Sequence, residues 1–278
     1  LRAPARPTGV IEYPRRVYSM TRRARIGLVL GLLGAAVLAA ALWPPMAQDP
    51  AYHRMADARA LGGLPNAANV LSSLPFVLVG ALGLGALGRR PGGARACFLD
   101  RRERWPYGLF FLALALTGLG SAYYHLAPDN GRLVWDRLPL AVAVVSLLAA
   151  TVVERIGARP GLAFLGPLVA VAVWSVLHWH AGEGRGQGDL RWYALVQFSP
   201  VLAIPLMLLL FPSPYTGGGA LLAAAALYAA AKGFEALDAP IFAAGGIVSG
   251  HTLKHLAAAA AGSLILRMLL TRQVQGDP

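Results

Sequence analysis

The chain has 278 residues, is 56% hydrophobic and only 14% charged, and carries a formal net charge of +12. Soluble domains carry about 25% charged residues, so composition excludes an ordinary water-soluble globule. The single cysteine, Cys97, excludes an internal disulfide framework and a cysteine zinc cluster. The basic residues fall between apolar blocks, which marks membrane topology rather than a nucleic-acid surface.

In chain order, the segment from Met20, "MTRRARIGLVLGLLGAAVLAAALW", reads as a natural beginning: a basic cap and then an apolar run. The run from Ile26 to Trp43 is longer than a usual signal core, and "AAALWPP" is a weak cleavage site, so a retained first helix is expected. Seven further apolar blocks follow, each long enough to cross a bilayer core of roughly 30 Å. The eight predicted spans are 26–43, 67–88, 106–125, 138–154, 161–180, 191–211, 219–237 and 251–270. Pro44–Pro45, Pro65, Pro160 and Pro212–Pro214 punctuate their ends. The expected fold class is all-α, a polytopic transmembrane helix bundle.

If the N-terminus lies inside, the inner segments carry 17 Lys and Arg and the outer loops six: Arg54, Arg59, Arg132, Arg137, Arg185 and Arg191. The positive-inside rule then puts both termini in the cytoplasm. No strong internal repeat is visible, which argues against an inverted-repeat transporter.

Under this topology all six histidines, His53, His125, His178, His180, His251 and His255, lie near the outer face. His53 reads as an interfacial loop residue, and His178 and His180 as flanking Trp179 in an aromatic belt. His251 and His255 are four apart and share a helix face, so both can reach one metal ion. The residues between them, "TLK", lack the glutamate of an H-E-x-x-H protease. Ser121 and His125 are also four apart, at the end of the third span, and Asp136 follows where the next is expected to begin. Separately, Asp136 could cap that helix or pair with Arg137, and Ser121 could bond back to its own helix. Ionisable groups gathered in apolar spans are functional candidates by default. Three histidines with an open fourth position form a catalytic zinc geometry. A carboxylate beside it, Asp136, can move the water proton, and Ser121 can steady an oxyanion.

The set Ser121-x-x-x-His125, Asp136 and His251-x-x-x-His255 resembles the CREST superfamily of membrane hydrolases, and within it the alkaline ceramidases and their bacterial ceramidase-like relatives. "LPNAANVLSSLPF", with Asn69, Ser72 and Phe76, is similar to the Asn/Ser/Phe pattern on that family's first core helix. The resemblance spans residues 52–270. Together with the charge bias it divides the chain into a basic cytoplasmic segment 1–25, an extra helix 26–43, a seven-helix core 52–270 and a cytoplasmic tail 271–278. It also implies a zinc ion held by His125, His251 and His255, with Asp136 and Ser121 around its water. The implied reaction is hydrolysis of the amide joining a fatty acid to a sphingoid base; separately, the Ala/Gly/Arg-rich composition points to a bacterial source and so to an inner membrane. The animal enzymes have an acidic calcium-binding segment before the first core helix; here "AYHRMADARALGGLPN" holds only Asp57, so calcium is not carried over. Ser73 stands where the family often has a second asparagine.

Lys232 and Glu235, three apart, are expected to pair. Asp238 is a candidate second acceptor for a histidine, and Lys254, adjacent to His255, is expected to snorkel. "HAGEGRGQGDLR" reads as a glycine-rich outer loop and a candidate lid. Two rival functions share these features. One is a seven-helix lipid receptor of the same superfamily. The other is a proton-coupled transporter that uses His and Asp as a relay.

Overall fold

The computed structural model describes residues 19–88 and 98–275. The basic residues before position 19, Arg89, Arg90, Arg95, Cys97 and residues 276–278 of the tail lie outside the described residues. The described chain is a bundle of α-helices: α1 (Arg22–Leu42), α2 (Ala67–Leu71), α3 (Leu74–Gly88), α4 (Arg104–Leu126), α5 (Asn130–Arg155), α6 (Ala158–Glu183), α7 (Arg191–Leu210), α8 (Gly219–Ala236), α9 (Asp238–Gly245) and α10 (Gly250–Thr271). Short 3-10 turns occupy Pro50–His53 and Arg101–Glu103. Among the described residues, seven helical segments are long and apolar enough to cross a membrane, or eight if α8 and α9 form one bent span. This is a multi-pass membrane architecture, as the apolar blocks predict.

Two spans depart from the sequence expectation. The second is interrupted at Ser72–Ser73, between α2 and α3. Pro75 has no N–H to continue the helical ladder, and both serine hydroxyls turn back to the Asn69 carbonyl, at 3.1 and 3.0 Å. The fourth begins at Asn130, eight residues before the expected 138. Asp129, not Asp136, caps it by accepting from the Arg132 N–H at 2.7 Å. Asp136 is therefore inside the helix, with its side chain available for other work. The seventh ends as expected, with Leu237 as its cap, and α9 then turns by 73° from α8. That bend carries the chain across to Ser249, whose hydroxyl caps α10 through the Thr252 N–H at 3.1 Å.

Close helix approach sets the frame of the site. At Gly120 a Cβ would lie 1.9 Å from the Trp135 carbonyl oxygen, so only glycine lets α4 meet α5 there. At Gly250 a Cβ would lie 2.1 Å from the Phe234 carbonyl oxygen, and the end of α8 abuts the start of α10 in the same way. The first helix is peripheral. It packs against α7, and Val29 is its one buried residue.

Several basic residues counted as loop charges are instead interior. Arg137, Arg155 and Arg272 are buried. Arg272 pairs with Glu154 and lies under the Tyr215 ring, with its guanidinium carbon 4.1 Å from the centroid. Trp179 is likewise not an interfacial belt residue. It is fully buried and donates to Glu183 at 3.0 Å.

Candidate metal centre

His125 sits one residue from the end of α4, and His251 and His255 lie in the first two turns of α10. The two helices run in opposite directions, so these positions share one end of the bundle. The three imidazoles meet there. His125 Nε2 and His251 Nε2 are 3.2 Å apart, and one ligand atom from each of the three rings lies within 4.8 Å of the others. Two nitrogens bound tetrahedrally at 2.0–2.1 Å would be separated by about 3.3 Å. All three side chains are buried.

The surrounding polar groups hold these rings in place. Ser72 Oγ meets His255 Nδ1 at 2.9 Å, which leaves His255 Nε2 for the shared centre. The Phe76 ring stands edge-on to His255 with centroids 6.0 Å apart. Asn69 Oδ1 accepts from Thr252 Oγ1 at 3.0 Å and so ties α2 to the turn between the two histidines of α10. Asn66, in the left-handed region at φ +46°, donates its amide to the His125 carbonyl at 2.9 Å. That contact satisfies one of the open carbonyls at the end of α4. Asp238 accepts from the His251 backbone N–H at 2.7 Å and from Ala56 N–H at 3.1 Å. It therefore supports the histidine helix through main chain, not through the imidazole. A carboxylate at a helix N-terminus also suits the helix dipole.

The donor set fits a divalent transition metal. Imidazole suits zinc and its neighbours, and a set of three nitrogen donors without oxygen ligands does not suit calcium or magnesium. Three imidazole nitrogens gathered away from water leave their lone pairs and protons poorly matched, and His125 Nδ1 is buried with no protein partner. A shared cation resolves the crowding at the Nε2 atoms. The three buried histidines are thus close enough to bind one metal ion.

Beside them, Ser121 Oγ is 3.4 Å from His255 Nε2 and 3.1 Å from Ser73 Oγ. Ser121, Asp136 and His255 line one cavity of about 200 Å³, shared with Tyr52, Arg137 and Glu235. Asp136 is half-buried and faces this space with no ion pair among the described residues, so neither the cap nor the Arg137 pair explains it. A second, apolar cavity of about 80 Å³ shares Phe76, Leu140, Tyr228 and Ala258 with the first and runs between α4, α5, α7, α8 and α10.

The expected Lys232–Glu235 pair forms. Lys254 does not snorkel. Its ammonium is 2.7 Å from Glu235 Oε1 and 3.4 Å from His251 Nε2, and it joins the cavity wall. Its spacing was the missed signal, because Lys254 is three residues after His251 and shares that face. Tyr52 also donates to Glu235, at 2.9 Å. His53 is held between Tyr124 and Asn130, each at 3.0 Å. The "HAGE" of the glycine-rich segment is the end of α6, and Glu183 there accepts from Gln48 N–H at 2.7 Å. Asp57 is fully engaged by Arg59, Oδ1 to Nε and Oδ2 to Nη2, both at 2.8 Å. The Arg59 guanidinium holds the Asp57 carboxyl below the usual carboxylate range.

A scan against protein-family models finds no match for this chain, and a search of curated proteins finds none either.

Proposed function

We propose that the protein is a zinc-dependent amide hydrolase of membrane lipids, ceramidase-like in its reaction. The observation that carries this reading is one polar pocket in an apolar bundle. Three buried imidazoles converge beside it, and one of them, His255, shares the pocket wall with a half-buried carboxylate and a serine hydroxyl. His125, His251 and His255 would hold the metal, which when bound supplies Lewis acidity and an acidified water at neutral pH.

The chain's own groups divide the remaining work. Asp136 takes a proton from the water as its oxygen bonds to the amide carbon. It then gives that proton to the nitrogen as the carbon–nitrogen bond breaks, releasing a carboxylic acid and an amine. Ser121 donates to the oxygen on which charge develops. Ser72 fixes the orientation of His255. The neighbouring apolar cavity offers an apolar wall to the first methylenes of an acyl chain, with the amide at the polar end. The resemblance of the Ser/His, Asp and His/His set to the alkaline ceramidases favours ceramide or another N-acyl lipid. The positive-inside bias orients both termini to the cytoplasm and the site toward the outer half of a bacterial inner membrane. Moving the buried Arg137, Arg155 and Arg272 out of the loop tallies leaves that bias in the same direction.

The test is metal analysis of purified wild type and His251→Ala, with fatty-acid release measured on a panel of N-acyl lipids. About one zinc per chain in wild type, its loss in the variant, and zinc-dependent release are expected. Bound zinc without turnover on any lipid would favour a receptor, and unchanged zinc in His251→Ala would reject the ligand set.

A further inference from the structure

The larger cavity has an unbalanced wall. Two carboxylates, Asp136 and Glu235, face three cations, Arg137, Lys232 and Lys254. Glu235 is taken by both lysines, one at each oxygen. Arg137 is 6% exposed and ion-pairs with no carboxylate among the described residues. Its Nη2 donates to the neutral Gln48 Oε1 at 2.6 Å. Its Nη1 is buried with no acceptor. Its guanidinium carbon lies 4.3, 5.0 and 5.4 Å from the ring centroids of Trp179, Tyr193 and Tyr52.

Those rings attract the cation through their faces, but they do not neutralise it and give its in-plane N–H groups nothing to donate to. A buried charge without a counter-ion is costly. A guanidinium held among aromatic rings with a free N–H is positioned for a planar or tetrahedral oxyanion. Arg137 also directly follows Asp136, so an anion held there lies close to the carboxylate assigned to proton transfer.

We infer that the cavity takes an N-acyl lipid whose polar head carries an oxyanion, a phosphate or a carboxylate, with Arg137 as its counter-ion. The substrate assignment rests on the hydrolase reading above; the anion site does not. Lys232 and Lys254 add to the field, and Gln48 keeps the guanidinium fork from rotating.

The test compares three lipids with one acyl chain: N-palmitoyl sphingosine, its 1-phosphate and N-palmitoyl glycine. With zinc-loaded full-length protein, kcat/KM is expected to be at least about tenfold higher for one of the anionic lipids, and which one identifies the oxyanion. Arg137→Gln should cut the rate on that lipid at least tenfold more than on the neutral one, and Arg137→Lys should restore part of the difference. Thermal stabilisation of full-length His251→Ala by the same lipids reads head-group preference without turnover. An anionic preference there with no hydrolysis by wild type sinks the enzyme reading and supports the anion site. Equal or faster turnover of the neutral lipid by wild type, with no anionic preference in the stabilisation of His251→Ala, overturns the inference. So does an equal loss on all three lipids in Arg137→Gln, which would make the arginine structural.

Discussion

Gly120→Ala is expected to separate the proposed base from the proposed metal ligands. The added methyl would sit 1.9 Å from the Trp135 carbonyl oxygen, 2.5 Å from its carbonyl carbon and 3.1 Å from the Asp136 nitrogen. All three are backbone atoms and cannot rotate away. A carbon–oxygen contact needs about 3.3 Å, so α4 and α5 must part by about 1.4 Å at this level. The proposed ligands lie on α4 and α10, whereas Asp136 lies on α5. The displacement therefore shifts the carboxylate relative to the metal while leaving the three histidines on their own two helices. A misplacement of about 1 Å can cost about 100-fold in rate, and overpacking costs about 1–3 kcal/mol in stability. The expected result is a roughly 100-fold fall in kcat with zinc stoichiometry unchanged by metal analysis and a modestly lower Tm. Wild-type activity in the variant would refute the argument that this crossing positions Asp136. Zinc loss in step with activity would refute the assignment of the ligands to α4 and α10 alone.

Ser72→Ala removes the partner of His255 Nδ1 and should weaken zinc affinity about 10–100-fold in a chelator competition; an unchanged affinity would mean that Ser72 does not orient the ring. Arg272→Met leaves Glu154 buried beside Tyr107 without its cation. A loss of about 3–5 kcal/mol is expected in detergent unfolding, with much of it recovered in Arg272→Met/Glu154→Gln; a loss below about 1 kcal/mol would show the pair to be dispensable. Asp57 has a folded carboxyl lowered by Arg59, so its contribution is full above the ordinary value of about 3.9 and is lost as pH falls through the lower folded value. Tm followed from pH 6 to 3 should fall steeply at the acid end in wild type. It should start lower and fall less in Arg59→Gln, and parallel curves would contradict the pairing.

The features legible in the sequence are local ones. Apolar run length marks the spans, because a bilayer core demands roughly 20 residues of helix whatever surrounds it. The four-residue spacings of Ser121 with His125 and of His251 with His255 place each pair on one face by helix geometry alone. Those regularities place the candidate ligands on two spans and at one end of the bundle. The span edges were less legible, because Asp129 and Pro75 act through capping and a missing donor rather than through hydropathy.

Tertiary structure decided what those faces meet. The crossing at Gly120 puts Asp136 beside Ser121, and the 73° bend after α8 swings α10 in so that its histidines reach His125. The same folding buries Arg137 among three aromatic rings from distant segments and turns Lys254 inward to Glu235. The offset of three from His251 marks the face of Lys254, but neither its pairing with Glu235 nor the cage around Arg137 follows from neighbours in the chain, because pairing and burial depend on contacts between residues distant in sequence. Sequence alone marked the ligand candidates and the helices that carry them. The three-dimensional packing decided which charges stand in the pocket and which of them lacks a partner.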